Sequence, residues 1–350
     1  MIIAFYLESV GRTGGVNRVV SVIASKLAEY GFEVHIISRY DGKKNLFPLN
    51  EKVVLHELFP IFKSKYISFP GEFLRLKRII RKNKIDVLIS TGATFFAIAH
   101  FIKGVRHFEW DHVSFWHGNR VLKWCRKLAA RKAEKVVVLT EDNKKQFKNI
   151  PGSKAKVIKI FNPQTFQAKE KCDITKKVVF SAGYIGEQKG YDLLIKAWEK
   201  IPEKSRDGWE LHVAGGDEGL LESLLSYINE NNITGIKFLG FRNDIKELML
   251  SSAIYVMSSR WEGLPMVLIE AQTLGIPIVS FNCKTGPKDI VIDGTGLLVE
   301  DGNIIGLAQA LTTLMNDMEL RSQYQDNALL AANRFDVDSI AKQWVSILKS

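Results

Sequence analysis

Two glutamates separated by seven residues follow a predicted strand in the C-terminal half of the chain. Glu262 precedes a predicted helix, and Glu270 lies about one and a half turns inside it. Pro265 suits the first helical turn, where its missing N–H is no loss. The amides that follow, such as those of Met266 and Val267, can point at a phosphate. A carboxylate beside the helix start can accept hydrogen bonds from sugar hydroxyls, and a second one farther along can bind a ribose diol.

Each glutamate also has a simpler interpretation. Glu262 could be an acid at a helix start that the helix dipole favours, and Glu270 could be a solvated helix residue. This interpretation suffices for either residue alone. It explains the whole ordered segment from Ser258 to Ala271 poorly.

The run EGLPMVLIE, from Glu262 to Glu270, resembles the E-x7-E motif of retaining GT-B glycosyltransferases of the glycogen-synthase-like family 4. The resemblance covers essentially the whole chain. Gly14-Gly15 is similar to the N-terminal glycine loop, and residues 181–192 (SAGYIGEQKGYD) to the first strand, loop and helix of the nucleotide domain. The segment LGFR at 239–242 resembles the element near the base site, and residues 335–348 the last helix.

The resemblance implies a role for each matching position. Lys189 would bind the donor diphosphate, Glu262 would contact the donor sugar as a catalytic residue, and Glu270 would contact the nucleotide ribose. Residues near Arg242 would frame the base, and glycines would let the backbone approach the diphosphate, because they carry no Cβ. Besides Lys189 and Glu270, the implied donor-binding residues are Gly14, Gly15, Arg242, Gly263, Leu264, Met266 and Val267.

One position departs from the family pattern. The family carries an arginine in its G-R-L-x-x-x-K-G run, and this chain has Tyr184 there. One of the two usual cations for the diphosphate is therefore missing. Either Arg260 or Arg242 replaces it, or the chain binds phosphate more weakly.

A second catalytic candidate lies in the segment EWDH at 109–112. In similar transferases a histidine at about this place faces the donor sugar, which makes His112 the candidate and Glu109 the next choice. A neutral imidazole can hydrogen-bond a sugar hydroxyl or steady developing charge. The alternative, in which these groups only pack or lie at the surface, stays open for His112 and is favoured for His117.

No metal site is predicted, because the seven histidines lack the spacing of metal ligands. A D-x-D sequence, Asp336-Val337-Asp338, stands at the start of the last predicted helix, where Asp338 or Ser339 is a natural N-cap. We interpret it as capping. Lys189 and the amides of the helix start, rather than Mg²⁺, are then expected to offset the charge of the leaving diphosphate.

Cations interleave with bulky apolar residues in the N-terminal half, first between Lys63 and Lys84 and again around Trp124. Those of the first group recur at three- and four-residue spacing and form a ladder on one helix face. Cations beside aromatics suit an anionic membrane surface, at about 1 kcal/mol per basic residue, or the diphosphate of a polyprenyl-linked acceptor. A solvated helix with its apolar side in the core is the alternative. The predicted acceptor or membrane residues are Arg75, Arg78, Arg81, Lys82, Lys123, Arg126 and Lys127.

The net charge of +11 is distributed unevenly. Residues 1–172 carry 32 Lys and Arg against 14 Asp and Glu, a net of +18, whereas residues 173–350 carry 17 against 24, a net of −7. Lysines that only keep a protein soluble would hardly give the two halves opposite signs. The first half is therefore expected to meet an anionic partner.

The composition limits the class of protein. With 46% apolar and 25% charged residues the chain is globular, which excludes disorder, collagen and coiled coil as the main architecture. The longest apolar stretch, 91–102, is too short for a bilayer, which needs about 20 residues. The first residues lack the pattern of a signal peptide, and the three distant cysteines fit neither a disulfide framework nor a CxxC site. These features predict a protein of the reducing cytoplasm.

The hydrophobic pattern alternates between strands and helices in two series, which predicts parallel sheets covered on both faces. The length of 350 residues exceeds the roughly 250–300 that one core supports. We expect an α/β protein of the GT-B class, with two Rossmann-like, doubly wound domains facing across a cleft. Residues 1–164, completed by the helix 336–350, would bind the acceptor, and residues 165–335 would bind the nucleotide sugar.

The sequence thus predicts a metal-independent retaining hexosyltransferase, peripheral on the inner face of the cell membrane. It would move a hexose from a UDP-sugar to a lipid-linked glycan acceptor in cell-surface polysaccharide or lipopolysaccharide synthesis, with no cofactor. A sugar-nucleotide epimerase on a similar scaffold stays an alternative. A non-enzymatic nucleic-acid-binding protein that uses the basic N-terminal half stays a second alternative, although the sequence contains no recognisable nucleic-acid-binding module. A dehydrogenase is not favoured, because the chain lacks the dinucleotide-binding motif G-x-G-x-x-G: Arg12 and Thr13 separate its glycines at the wrong spacing. Asp41 lies near, but not at, the position expected for the acidic residue of that motif.

Overall fold

The computed structural model describes residues 1–11, 14–40, 46–59, 69–166 and 170–350. The chain forms two compact units, one of residues 1–165 with 335–350 and the other of residues 166–334. The turn residues Arg12 and Thr13, Asp41, and the cations Lys63 and Lys65 of the first basic group lie outside the described residues.

The first unit alternates strands and helices from its first residues. Its strands are β1 (Ile2–Leu7), β2 (Glu33–Tyr40), β3 (Val54–Phe59), β4 (Val87–Ser90), β5 (Arg106–Asp111), β6 (Lys135–Val138) and β7 (Lys156–Lys159). Its helices up to this point are α1 (Gly15–Glu29), α2 (Phe69–Lys82), α3 (Ala93–Ala99), α4 (Arg120–Lys132) and α5 (Glu141–Lys148). Over the residues described, the seven strands form one parallel sheet in the order β3-β2-β1-β4-β5-β6-β7.

The second unit repeats this plan. Its strands are β8 (Val178–Ala182), β9 (Glu210–Ala214), β10 (Ile236–Gly240), β11 (Ile254–Met257), β12 (Ile278–Phe281) and β13 (Gly296–Val299). Its helices are α6 (Tyr191–Lys200), α7 (Glu203–Arg206), α8 (Leu221–Glu230), α9 (Ile245–Leu250), α10 (Met266–Thr273), α11 (Pro287–Ile290), α12 (Ile304–Asn316) and α13 (Met318–Ala332). In the described part of this unit six parallel strands follow the order β10-β9-β8-β11-β12-β13.

Both sheets have the strand order of a doubly wound fold. In each, the order reverses beside the first strand, between β1 and β4 in one unit and between β8 and β11 in the other. Ligands of such sheets bind outside the carboxyl ends of the strands at this reversal. A ligand site is therefore expected at the loops after β8 and β11.

The last helix, α14 (Val337–Lys349), returns to the first unit. Trp344 packs on Trp110 with ring centroids 4.6 Å apart, and Phe5 of β1 contacts both rings. The N-cap of α14 is Asp336, whose side chain accepts a bond from the Ser339 amide at 2.8 Å. The capping interpretation of the D-x-D sequence therefore holds, but at its first aspartate.

The hydrophobic pattern does not predict two of the strands of the first sheet, β3 and β5. β3 is an edge strand with mostly half-buried residues, so its pattern does not alternate clearly between apolar and polar. β5 carries charged residues inside the sheet, among them Glu109 and Asp111, both buried. Among the residues described, no helix is both long and apolar enough to cross a membrane.

Candidate active site

The turn after β8 places Lys189 at the carboxyl edge of the second sheet. A single 3₁₀ turn, Glu187–Lys189, is followed by Gly190 with φ of +63°, a left-handed conformation that glycine adopts without a Cβ penalty. The lysine stem lies on Gly183, where an added Cβ would stand 2.8 Å from Cε of Lys189. These two glycines therefore allow the turn to close tightly under the lysine.

The ammonium group of Lys189 meets the carboxylate of Glu262. Lys189 Nζ lies 2.7 Å from Glu262 Oε1, and the hydroxyl of Ser259 donates to the same oxygen at 2.8 Å. The Glu262 side chain is 8% exposed and that of Lys189 21%, so the pair is shielded but still reachable. An ammonium has three N–H donors, which leaves Lys189 able to bind a phosphate oxygen while it keeps Glu262.

The loop after β11 is tied to the Lys189 turn along its length. The hydroxyl of Ser258 donates to the carbonyl of Lys189 at 2.9 Å, and the amide of Arg260 donates to the carbonyl of Gln188 at 2.8 Å. The guanidinium of Arg260 grips Asp192 on α6 through two bonds of 2.9 and 2.7 Å. The relative position of Lys189 and Glu262 is therefore set by the backbone and by a bidentate ion pair.

Both arginines considered as replacements for the missing cation are already paired. Arg260 is bound to Asp192, and Arg242 pairs with Asp244, with Nε 2.7 Å from its carboxylate. Tyr184, which stands at the departing position, is 46% exposed in the loop after β8. In the described part of the second unit, Lys189 is thus the cation that contacts Glu262.

A third loop, after β12, supports Glu262 from the other side. The Thr285 amide donates to the Glu262 carbonyl at 2.9 Å, and the Glu262 amide to the Lys284 carbonyl at 3.3 Å. Cys283 is buried here, and burial together with the nearby Glu262 carboxylate raises the pKa of its thiol. The sequence pattern gave Ser259 no separate role, although it stands only three residues before Glu262. The loop after β12 lies next to Glu262 because β12 pairs with β11 in the sheet.

The helix α10 starts one residue later than expected. Pro265 occupies the N-cap position and Met266 is the first helical residue. Glu270 is 5% exposed, so its interpretation as a solvated helix residue is wrong. Leu264 is also buried, which leaves its backbone rather than its side chain for a ligand.

Arg242 lies apart from the Lys189–Glu262 pair. It follows β10, the edge strand, which is separated from β8 by β9. Neighbouring strands lie about 4.8 Å apart, so the loop after β10 lies roughly 10 Å from the loop after β8. Arg242 and Glu262 therefore stand at the same edge of the sheet but at different places on it.

In the first unit, Gly14 is the N-cap of α1 and Gly15 its first residue. Apart from its chain neighbours, no atom of the described residues lies within 4 Å of the point where a Cβ would stand on Gly14. The backbone at Gly14 is therefore open to close approach among the described residues, which the predicted contact with a phosphate would require. A helix N-terminus adds its own preference for an anion.

His112 directly follows β5 and packs on Trp110, with ring centroids 4.4 Å apart. The residue is half-buried as a whole, yet both ring nitrogens are buried and have no hydrogen-bond partner among the described residues. Burial lowers the pKa of His112 to about 3. The imidazole is therefore neutral at physiological pH and keeps one donor and one acceptor for a ligand.

Glu109 is a buried carboxyl group on the face of the sheet opposite Trp110. Neither of its oxygens finds a partner in the residues that the structure describes. Burial raises its pKa well above the usual value; the nearby Asp111 adds to the rise and Arg126 opposes it. The group is thus stabilised in its protonated form.

The residues predicted to contact the acceptor or the membrane are exposed at all but one position. Arg75, Arg78, Arg81 and Lys82 on α2 are exposed, and so are Lys123 and Lys127 on α4, beside Trp124, which is 60% exposed. The prediction for Arg126 is wrong, because Arg126 is 1% exposed and paired with Asp111.

Within the described residues, no group of three or more His, Cys, Asp or Glu is placed to hold a metal ion.

Family profiles match nearly the whole chain. The family described as Glycosyltransferase Family 4 matches residues 13–162, and Glycosyl transferases group 1 matches residues 163–330. A Haemophilus influenzae protein named as an uncharacterized glycosyltransferase is 32% identical and is covered over 99% of both chains. The amylovoran biosynthesis glycosyltransferase AmsD of Erwinia amylovora is 27% identical over 98% of both chains.

Solved structures share the fold at low sequence identity. TarM of S. aureus, in complex with UDP among other ligands, superposes with a TM-score of 0.82 at 16% identity over 100% of both chains. Anabaena HepE in complex with UDP and glucose gives a TM-score of 0.81 at 23% identity over 99% of both chains. On its sequence match and its two doubly wound units, the chain belongs to glycosyltransferase family 4, the group 1 glycosyl transferases, and has their GT-B fold.

Proposed function

We propose that this glycosyltransferase is a metal-independent, retaining enzyme that moves a hexose from a UDP-sugar to a lipid-linked glycan acceptor. The observation that carries the proposal is the shielded contact between Lys189 Nζ and Glu262 Oε1 at the carboxyl edge of the second sheet. The contact brings together one cation and one carboxylate beside the start of α10, where amides favour a phosphate, and this supports a role for the carboxylate in holding the donor sugar.

Each member of the pair has a separate task in the proposed reaction. Lys189 offsets the charge that builds up on the departing diphosphate, and the amides at the start of α10 share this task. Glu262 accepts hydrogen bonds from the donor sugar, and Ser259 keeps its carboxylate in place. The acceptor hydroxyl attacks from the face that the diphosphate leaves, and the leaving phosphate takes its proton.

His112 contributes a neutral hydrogen bond to this reaction. Because its pKa is lowered to about 3, the ring does not serve as a cationic acid near pH 7. Its ring N–H can instead donate to a sugar hydroxyl. Burying two ring nitrogens without hydrogen-bond partners among the described residues costs free energy, unless a ligand supplies the missing hydrogen bonds.

The names of relatives support the choice of donor and acceptor class. A Campylobacter jejuni relative, 26% identical over 99% of both chains, is named for transfer to a sugar on diphospho-undecaprenol. WbnH of Escherichia coli, 29% identical over 81% of this chain, is named for O-antigen biosynthesis. Complexes of HepE contain UDP or UDP-glucose. We infer cell-surface polysaccharide synthesis on a polyprenyl-linked acceptor at the inner face of the cell membrane.

Two cationic helix faces of the first unit suit this acceptor. On α4 the exposed Lys123 and Lys127 lie near Trp124 and Val121, which are 60% and 62% exposed. On α2, Leu74 is 61% exposed beside the exposed Arg75. Apolar side chains flanked by cations fit the headgroup region of an anionic membrane.

The test is a panel of UDP-hexoses incubated with a bacterial lipid extract. We expect release of UDP only when acceptor is present, and a product with the anomeric configuration of the donor by NMR. Release of an epimerised nucleotide sugar without UDP would instead indicate the epimerase.

Glu262→Gln separates the proposed site from general damage, since it keeps the shape and removes the charge. We expect turnover to fall by about 10²-fold or more while the variant stays folded. Glu210→Gln is the matched control, because Glu210 also pairs with a lysine, Lys237, at 2.7 Å, but on the edge-strand side of the same sheet. Near-normal turnover in Glu262→Gln would refute the assignment.

A further inference from the structure

Arg126 is buried at the centre of a set of hydrogen bonds that surrounds the segment after β5. Its guanidinium binds Asp111 through Nε at 2.7 Å and Nη2 at 3.2 Å. The remaining N–H groups reach the carbonyls of Val113 at 2.9 Å and of Phe115 and His117 at 3.1 Å. Every nitrogen of the side chain is therefore used, and the carboxylate that it binds belongs to Asp111, the last residue of β5.

The three carbonyls belong to alternate residues of one short segment, 113–117. A second anchor comes from α5, where Asn143 donates to the Val113 carbonyl at 3.2 Å and accepts from the Phe115 amide at 3.1 Å. His112 lies between Asp111 and Val113, both of which contact Arg126. The path of the backbone on each side of His112 is therefore held by one guanidinium.

A buried charged group of this kind costs desolvation energy, and a well-packed apolar group could fill the same space. Arginine is the residue whose rigid fork can bind a carboxylate and several carbonyls at once. The hydrogen bonds of Arg126 therefore fix the position of the backbone more than they stabilise the fold. What they fix is the segment with the neutral, buried imidazole.

We propose that Arg126 and Asp111 form a positioning clamp that fixes residues 112–117 and so holds the His112 ring where glycosyl transfer uses it. The clamp acts through His112 and touches neither donor nor acceptor. The proposal rests on the proposed function, in which His112 contacts the sugar. It assigns Arg126 a role different from the membrane contact that the sequence predicts.

The kinetic test is a double-mutant cycle between Arg126→Lys and His112→Asn. Lysine keeps the charge but has three donors, so it cannot replace the five-donor fork. We expect Arg126→Lys to lower kcat by about tenfold or more with the KM for the donor nearly unchanged, because a small misplacement of a contact group is costly. In the His112→Asn background the same change should have little further effect. Multiplicative losses in the double variant would overturn the proposal.

Arg321→Lys is the matched control, because Arg321 is also buried and also binds carbonyls, those of Met315 and Ile174 at 3.1 and 3.2 Å, in the second unit. Its effect should multiply with that of His112→Asn. Asp111→Asn provides a second clamp variant if Arg126→Lys does not fold.

A spectroscopic measurement tests the clamp independently of activity. In protein labelled at histidine, the ring signals of His112 are identified by their loss in His112→Asn. We expect these signals to stay constant between neutral and mildly acidic pH in the wild type, and to shift and titrate in Arg126→Lys, because the released ring meets water. Unchanged His112 signals in a folded Arg126→Lys would overturn the clamp. If no donor supports transfer by the wild type, the proposed function fails, while this measurement still decides the clamp.

Discussion

Gly190 and Ser258 stand so close that a Cβ on Gly190 would lie 2.2 Å from the carbonyl oxygen of Ser258. The contact joins the turn that carries Lys189 to the loop that carries Glu262. A methyl group at this point would have to push the two loops apart. The distance between the lysine and the glutamate therefore depends on a glycine whose backbone packs on Ser258.

The first prediction concerns this glycine. Gly190→Ala would place its Cβ in the clash and keep a φ of +63°, so we expect a loss of at least about 2 kcal/mol in unfolding free energy and weaker binding of UDP. Urea unfolding and calorimetric titration with UDP measure the two effects. Gly31→Ala is the control, because Gly31 has a φ of +84° and, apart from its chain neighbours, no atom of the described part of the chain lies within 4 Å of its Cβ position. It should cost about 1 kcal/mol and leave UDP binding intact; equal losses in both variants would contradict the close-contact argument.

The second prediction concerns the pH dependence of stability at His112. The folded-state pKa is about 3, below the ordinary value of 6.5, so between these values the unfolded chain binds a proton that the folded chain does not. The contribution of His112 to stability therefore falls as pH drops, by about 1.4 kcal/mol per unit, or about 2 kcal/mol from pH 6.5 to pH 5. Urea unfolding of His112→Asn should show a correspondingly weaker decline in acid than the wild type. His117→Asn controls for loss of an imidazole in the same segment. Parallel curves for wild type and His112→Asn would show that the ring is not buried in solution.

The third prediction has the opposite pH direction and concerns Glu109. Its folded-state pKa is raised, so above the ordinary value the unfolded chain has released a proton that the folded chain retains. Stability due to this group is therefore lost as pH rises. Glu109→Gln removes the titration while keeping the shape. The variant should gain stability relative to the wild type as the pH of the urea titration increases from 5 toward 8. A constant difference across that range would mean that Glu109 is already ionised in the fold.

The fourth prediction concerns the cations of α4. Lys123 and Lys127 are exposed beside Trp124, and each basic residue close to anionic lipid is worth about 1 kcal/mol. Replacing both with glutamine should lower partitioning onto phosphatidylglycerol vesicles by roughly 30-fold at low salt, with a smaller effect at high salt. Sedimentation with the vesicles measures this partitioning. Lys200→Gln with Lys204→Gln, both exposed in the second unit, is the matched control. The same loss in both pairs would show that only net charge matters.

Sequence reasoning succeeded where local pattern reflects chemistry directly. The alternation of strands and helices was enough to predict two parallel-sheet units, because strands buried on both faces are apolar throughout. It failed at β5, where Glu109 and Asp111 interrupt the apolar pattern inside the sheet. A buried acid is compatible with a strand only when the surroundings accommodate it, and those surroundings come from other segments.

Arg126, on helix α4, is a second residue whose surroundings the sequence pattern did not predict. Its neighbours Lys123 and Lys127 made it look like part of a solvated basic cluster, although they point outward and it points inward. The buried positions of α4 are Cys125, Arg126, Ala129 and Ala130, a face on which an arginine is stable only because Asp111 and three carbonyls surround it. Those partners lie 9 to 15 residues earlier in the chain, so no helical periodicity contains them.

By itself the sequence determined the family and the α/β class, because the spacing of Glu262 and Glu270 and the order of the elements are written along the chain. It also predicted the residues of the candidate site. Only the tertiary structure decided which of these residues meet. Lys189 and Glu262 are 73 positions apart, and they touch because β8 and β11 are neighbours where the strand order reverses. Which side chains are buried, and hence neutral or charged, follows from such neighbours and not from adjacent positions in the sequence.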